Sequence, residues 1–139
     1  MSIEAQLRTS LQVWHPDATV EEISDLLSRA PAYFGEKGTS RRTSHAPHLA
    51  DWTTNYWSAD YTRGEDLEAR IGEMFDDLGD RAGRLATLLA HGGRACFTGY
   101  LLVTKSTVLD VSPATLRKLG ELGIELALDL ASPRTPPAL

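Results

Sequence analysis

One short stretch of this chain collects the residue types that do chemistry. His45, His48 and Asp51 follow the spacing His-x-x-His-x-x-Asp. They could offer two imidazoles and a carboxylate to a divalent cation and leave a fourth position open, as catalytic zinc sites do. Just ahead of them, Lys37, Arg41 and Arg42 could hold a carboxylate or phosphate, with the guanidinium forks making a two-point contact. Metal ligands need a rigid frame and outer partners that orient them, whereas this trio lies in a Ser- and Thr-rich segment with Pro47 between the histidines. No metal or cofactor is therefore expected. A solvated loop face explains the basic cluster adequately, and its specific alternative is capture of an anion or an acidic partner. Trp52 and Trp57 flank the stretch and are expected as sheet residues rather than as platforms for stacked bases.

Elsewhere the chemical signals are thinner. Glu65, Asp66, Glu68, Glu73, Asp76, Asp77 and Asp80 make one region acidic, which the charged outer face of an amphipathic helix accounts for. Asp66 and Arg70, four positions apart, read as a surface ion pair, and Asp76-Asp77 does not read as a catalytic dyad. His15 at a strand end reads as a surface group or a backbone partner. Cys96, the only cysteine, sits in a strand-like run where a buried thiol acts as a small hydrophobe. Gly35-Glu36-Lys37-Gly38 lacks the remaining glycine, lysine and hydroxyl of a phosphate loop. With no nucleophile signature present, an enzyme is the lesser reading.

The elements that position these groups follow from periodicity. Leu7, Leu11 and Val13 alternate with Arg8, Ser10 and Gln12 in a first strand that ends at His15-Pro16-Asp17. Thr19 followed by Glu22 is a capping box for a helix whose stripe is Val20, Ile23, Leu26 and Leu27. Tyr33 to Lys37 reads as a short strand. From Gly38 to Asp51 periodicity vanishes, which makes a long loop, and Trp52 to Tyr61 then reads as an aromatic strand.

Leu67, Ile71, Met74, Phe75 and Leu78 form a helical stripe, with a break at Gly79 and a second piece carrying Leu85, Leu88 and Leu89. Ala95 to Val103 is a strand. Ser112-Pro113 starts the last helix, Leu116 and Leu119 are read as its inward face, and Ile124 to Leu130 alternates again. The predicted core is Leu11, Val13, Ile23, Leu26, Leu27, Trp57, Ile71, Phe75, Leu85, Leu88, Leu101, Leu116 and Leu126.

A phrase of strand, capped helix and strand thus occurs twice, near residues 7–34 and 97–130. The expected fold is α+β: a mainly antiparallel sheet of about five strands with three helical regions, similar to ferredoxin-like sandwiches in its split strand-helix-strand units. The 139 residues and 42% apolar content suit one domain, placed at residues 1–131, with a proline-rich tail at 132–139. The balance of 14 basic and 19 acidic side chains, a net charge of −5, argues against a protein that neutralises phosphates, so nucleic acid is not an expected partner. Met1 to Gln6 lacks the features of a signal peptide, and no run is long enough to span a bilayer. No membrane contact and a cytoplasmic location are expected.

Taken in order, these features resemble the bacterial domain-of-unknown-function family numbered 4279. The features are the Pro16-Asp17 lead-in to the helix at Val20 to Leu27, Ala30-Pro31, Lys37-Gly38, Trp57, the leucine-rich helix with its break at Gly79, the strand from Ala95, and Val111-Ser112-Pro113 through Leu116, Leu119, Gly123 and Ile124. One departure is that Arg29-Ala30 stands where the family tends to place a glycine before the proline. The resemblance covers nearly the whole chain and implies a fold more than a chemistry; it suggests an immunity or interaction protein.

The leading expectation is a small cytoplasmic protein-interaction module, of an immunity or regulatory kind, whose partner is another protein. The alternative is an enzyme or small-ligand or anion binder using the basic, histidine-bearing loop 38–51. In either case the binding residues are expected among Lys37, Arg41, Arg42, His45, His48 and Trp52, because the fourteen mostly hydrophilic residues of the loop are not needed to join two antiparallel strands.

Overall fold

A computed structural model describes residues 7–132. Met1 to Gln6 and, apart from Ser132, the tail expected at 132–139 thus lie outside the described residues. The elements run β1 (Leu7–His15), α1 (Val20–Leu27), β2 (Tyr33–Gly35), β3 (Asn55–Asp60), α2 (Leu67–Leu78), α3 (Ala82–Ala90), β4 (Arg94–Leu102), α4 (Pro113–Leu122) and β5 (Ile124–Ala131). A 3-10 turn, Gly79–Arg81, joins α2 to α3. No described helix is long and apolar enough to cross a membrane.

The five strands form one mixed sheet in the order β2-β3-β1-β4-β5. The first three pairings along it are antiparallel and β4 pairs with β5 in parallel. The fold is thus α+β with a mostly antiparallel sheet. The two strand-helix-strand phrases differ in their outcome. In the first, β3 lies between β1 and β2, while in the second β4 and β5 are immediate neighbours joined through α4.

Local chemistry explains where the helices begin and end. Thr19 Oγ1 accepts from the Glu22 amide at 3.1 Å, and Ser112 Oγ accepts from the Thr115 amide at 3.3 Å, each satisfying a donor that the first helical turn leaves unpaired. Gly123 closes α4 with φ +76°. At the end of α1 the left-handed position belongs to Ser28, φ 52°, the only described non-glycine residue with positive φ. The helix thus ends on a serine carrying a conformation that glycine adopts more easily, just ahead of Arg29-Ala30.

One face of the sheet carries the core. Leu11 and Val13 of β1, Trp57 and Ala59 of β3, and Ala95, Phe97 and Leu101 of β4 are essentially inaccessible and pack with Ile23, Leu27, Ile71, Met74, Leu85 and Leu119 from the helices. Leu26, Phe75, Leu88 and Leu126 are partly buried against this cluster. Leu116 is not part of it: the side chain is 48% exposed. Thr115, Leu119 and Leu122 form the inward stripe of α4 instead, and Leu116 stands roughly a quarter turn away at 100° per residue.

The α4 register is held from a distant helix. Glu68 of α2 accepts from the Ser112 amide at 2.6 Å and from the Thr115 hydroxyl at 3.0 Å. Hydrogen bonds from Ser112 and Thr115 hold the Glu68 carboxyl below the usual glutamate range near 4.5. Because the folded value is depressed, this tie contributes its full stability above the unfolded value and loses it as pH falls through the folded one. Glu68→Gln is expected to leave the fold intact and flatten this part of the acid-unfolding curve below about pH 4.5, read by denaturant titrations at several pH values. An unchanged slope would show that the contact contributes nothing.

The ion pair expected between Asp66 and Arg70 is replaced by two other roles. Asp66 caps α2 by accepting from the Ala69 amide at 2.8 Å. Arg70 is buried, and its guanidinium donates to the Gly64 carbonyl at 2.8 Å and to the Leu7 carbonyl. His15 is also buried, and its Nδ1 accepts from the amides of Asp17 and Ala18 at 3.0 and 2.8 Å. It is thus a backbone partner that shapes the turn after β1.

Candidate functional site

The face of the sheet opposite the core is built from the alternate residues of the same strands. Strand register places Arg94, Trp14, Tyr56 and Gly35 side by side on β4, β1, β3 and β2. The position on β2 has no side chain, and Trp52 occupies that space. A Cβ built on Gly35 would lie 2.0 Å from Trp52 Cε2, so the indole rests directly on the glycine backbone. This is the close approach for which a strand glycine is suited.

The result is a continuous row across four strands. The guanidinium of Arg94 lies 4.9 Å from the Trp14 ring centre, and the Trp14 and Tyr56 rings are 5.4 Å apart. The Tyr56 and Trp52 rings stack at 5.2 Å with an interplanar angle of 10°. Arg41 closes the row 4.3 Å above Trp52. Tyr33 packs its edge on Tyr56 at 5.8 Å. Offset aromatic contacts and cations over ring faces are individually small but favourable, and here they share side chains. Burial pushes the Tyr56 hydroxyl above the usual phenol range, outweighing hydrogen bonds with Ser58 and Gln12.

The two arginines that end the row differ. Arg94 is bound to Glu125 through Nε at 2.5 Å and Nη2 at 3.3 Å. Arg41 has no hydrogen bond or ion pair among the described residues; its guanidinium is seated over the Trp52 ring, with its N–H edges unengaged there. Beside the row runs a polar lane of Gln12, Ser58 and Cys96, with Thr98 Oγ1 donating to Gln12 Oε1 at 2.9 Å.

The loop that supplies Arg41 and Trp52 is pinned at its base. The Gly38 amide donates to the Trp52 carbonyl at 2.8 Å, the Trp52 amide to the Thr39 carbonyl at 2.9 Å, and the Lys37 amide to Asn55 Oδ1 at 2.8 Å. Farther out, Arg42 Nε donates to the Leu49 carbonyl at 3.2 Å. Between this loop and β2 lies a cleft of about 320 Å³ whose lining includes Tyr33, Thr39, Ser40, Arg41, Arg42 and Trp52.

Of the six expected binding residues, the structure brings Arg41, Arg42 and Trp52 to one cleft. Lys37 is turned away, with Nζ 3.4 Å from the Pro16 carbonyl, and His45 and His48 are exposed outside the cleft. Among the described residues no group of three His, Cys, Asp or Glu side chains is arranged to hold a metal ion. Trp57 is a sheet residue as expected, but Trp52 precedes β3 and stacks on Tyr56 and Arg41. Sequence reasoning passed over Trp14, Tyr56, Gly35 and Arg94. The available signal was the glycine in a short strand, together with Trp14 on the face opposite Leu11 and Val13.

A second cluster joins separate elements. Asp77 of α2 accepts from the Tyr61 hydroxyl at 2.8 Å and from Arg29 at 3.0 Å, and Arg29 lies over the Tyr61 ring at 4.4 Å. Burial, reinforced by the Asp77 carboxylate, pushes the Tyr61 hydroxyl well above the usual phenol range. Asp76 is exposed and takes no part in this cluster.

Fold and site together define an α+β domain with helices on one sheet face and an aromatic and cationic row on the other. The chain belongs to the domain of unknown function family DUF4279, whose match spans residues 5–133. No curated protein and no solved structure matches the chain significantly.

Proposed function

We propose that this domain is a protein-interaction module that captures an acidic segment of another protein on the row ending at Arg41. The single observation that carries this reading is the cross-sheet row itself, in which packed rings hold a cation in place and leave its donors free. Preorganised side chains lose little freedom on binding, so a contact to Arg41 retains more of its energy than one to a free arginine. Residues 36–51 contain three cations, Lys37, Arg41 and Arg42, against two anions, Glu36 and Asp51, so the loop is +1 in a chain of −5. An acidic segment is steered to this end of the molecule. An immunity or a regulatory role is then decided by the partner captured.

The order β4-β1-β3-β2, in which each of the first two crossovers straddles one strand, supports reading the scaffold as a ferredoxin-like split arrangement extended by α4 and β5. A second reading, a binder of small anions, is favoured by the cleft holding Arg41 and Arg42 beside the Thr39 and Ser40 hydroxyls.

The two readings separate in one calorimetric experiment. A synthetic peptide rich in aspartate and glutamate is expected to bind the full chain, less tightly as salt rises. Changing Arg41 and Arg42 together to alanine is expected to weaken that binding at least tenfold. Its effect on stability should be about 1 kcal/mol, the scale of one exposed cation–aromatic contact. Equal affinity in the double variant would remove the basis for the proposal. Competition by inorganic phosphate would move the assignment to the small-anion reading.

A further inference from the structure

The opposite edge of the sheet carries an independent feature. Among the described residues β5 is the outer strand and is paired on one side only, with β4. The Ala131 carbonyl accepts from the Val103 amide at 2.6 Å, so Ala131 turns its main-chain groups toward β4. Strand residues alternate in this respect. Glu125, Ala127 and Asp129 therefore face β4 with their main chain, and Leu126, Leu128 and Leu130 direct theirs to the open edge. The register Phe97 with Leu126, Gly99 with Leu128 and Leu101 with Leu130 puts these leucine side chains on the core face. Leu128 and Leu130 are nevertheless 42% and 58% exposed. Free donors and acceptors beside exposed leucines form a template for another strand.

We propose that the occupant is a second copy of this chain, with β5 pairing antiparallel to its own counterpart about a two-fold axis at Leu128. Self-pairing is isologous, so each candidate register has one residue opposite itself. The hydrogen-bonding phase allows only registers that oppose the even-numbered leucines to one another. An axis at Ala127 would set Glu125 opposite Asp129 twice, in the pairs whose side chains approach most closely, and like charges there repel. An axis at Leu126 would leave Leu130 without a partner. An axis at Leu128 sets Leu128 opposite itself and Leu126 opposite Leu130, and it places Asp129 opposite Ala127 and Glu125 opposite Ala131. Charge and apolar pattern therefore select the same register. The two core faces then lie on one side of a continuous sheet, with five described strands from each copy.

Sedimentation of the full chain tests this assignment. The mass is expected to rise with concentration from one chain to two, and salt should favour the dimer because two chains of −5 meet. That is the reverse of the salt effect expected for acidic-peptide binding. Leu128→Lys is expected to stay monomeric with an unchanged thermal midpoint, since position 128 is already partly open to water. Cα atoms opposite each other in a hydrogen-bonded antiparallel pair lie about 5.5 Å apart, within disulfide range. Leu128→Cys should therefore cross-link between copies under mild oxidation and Ala127→Cys should not, while the native Cys96 is buried. A chain that remains monomeric at every concentration overturns the proposal, as does a dimer that survives Leu128→Lys or cross-links faster through position 127.

Discussion

Replacing Trp57 by alanine is expected to cost about 3–5 kcal/mol, the range for removing a large aromatic side chain from a core. Trp57 is completely buried at the centre of β3, opposite Val13 of β1 and Phe34 of β2. Its indole nitrogen donates to Ser24 Oγ at 3.1 Å, and the Ser24 hydroxyl donates to the Val20 carbonyl at 2.8 Å. The one polar atom of the ring is thus satisfied, and the same bond ties α1 to the sheet. Alanine would leave a cavity beneath α1 and remove that tie. Trp57→Phe keeps most of the apolar volume and leaves Ser24 bound to the helix backbone, so a smaller loss is expected. Chemical denaturation of both variants measures the difference. A loss below about 1 kcal/mol for alanine would mean that α1 settles into the space, contrary to the close packing expected of such cores.

Trp57 was legible in the sequence as a core residue for the same reason that most elements were. Alternation in β1 separates Leu11 and Val13 from Gln12, and the caps at Thr19 and Ser112 mark their helices, because each signal depends on residues within one turn or one strand. Leu116 was misassigned because the register of α4 depends on Glu68, which is 44 residues from Ser112 in sequence and grips the helix start. Local periodicity contains no record of that grip. The Asp66–Arg70 pair failed similarly, since Arg70 is taken by the Leu7 carbonyl of β1.

The aromatic and cationic row lies beyond local signals for a stronger reason. Its members come from positions 14, 35, 41, 52, 56 and 94, and only the pairing of β1 with both β3 and β4 puts Arg94, Trp14 and Tyr56 in one line. Arg41 and Arg42, singled out in the loop by their charge, and Trp52, which flanks it, do line one cleft. His45 and His48 are exposed outside that cleft, a placement that composition does not contain, because it cannot tell which side of a loop faces the sheet. The Lys37 backbone anchors the loop through Asn55, while its side chain reaches toward Pro16.

Gly35→Ala is expected to dismantle the proposed recognition surface while preserving the fold. The added Cβ would lie within 2.5 Å of three indole atoms of Trp52, which no small adjustment accommodates, so the ring must leave its seat. Trp52 then loses its stack on Tyr56, and Arg41 loses the ring that positions it. Together these contacts are worth about 1–2.5 kcal/mol. The main-chain bonds between Gly38, Thr39 and Trp52 do not require the indole, and the core lies on the other face, so cooperative unfolding should persist with a loss of that size. Tryptophan emission should shift to the red as the ring enters water, and Trp52→Phe should remove the shifted component. Binding of the acidic peptide should fall at least tenfold, equivalent to about 1.4 kcal/mol, in Gly35→Ala and in Trp52→Ala alike. Full affinity in Gly35→Ala with a red-shifted indole would show that Arg41 binds without its ring support. The proposed module would then rest on loop charge alone, and the aromatic row would be a packing feature of the open face.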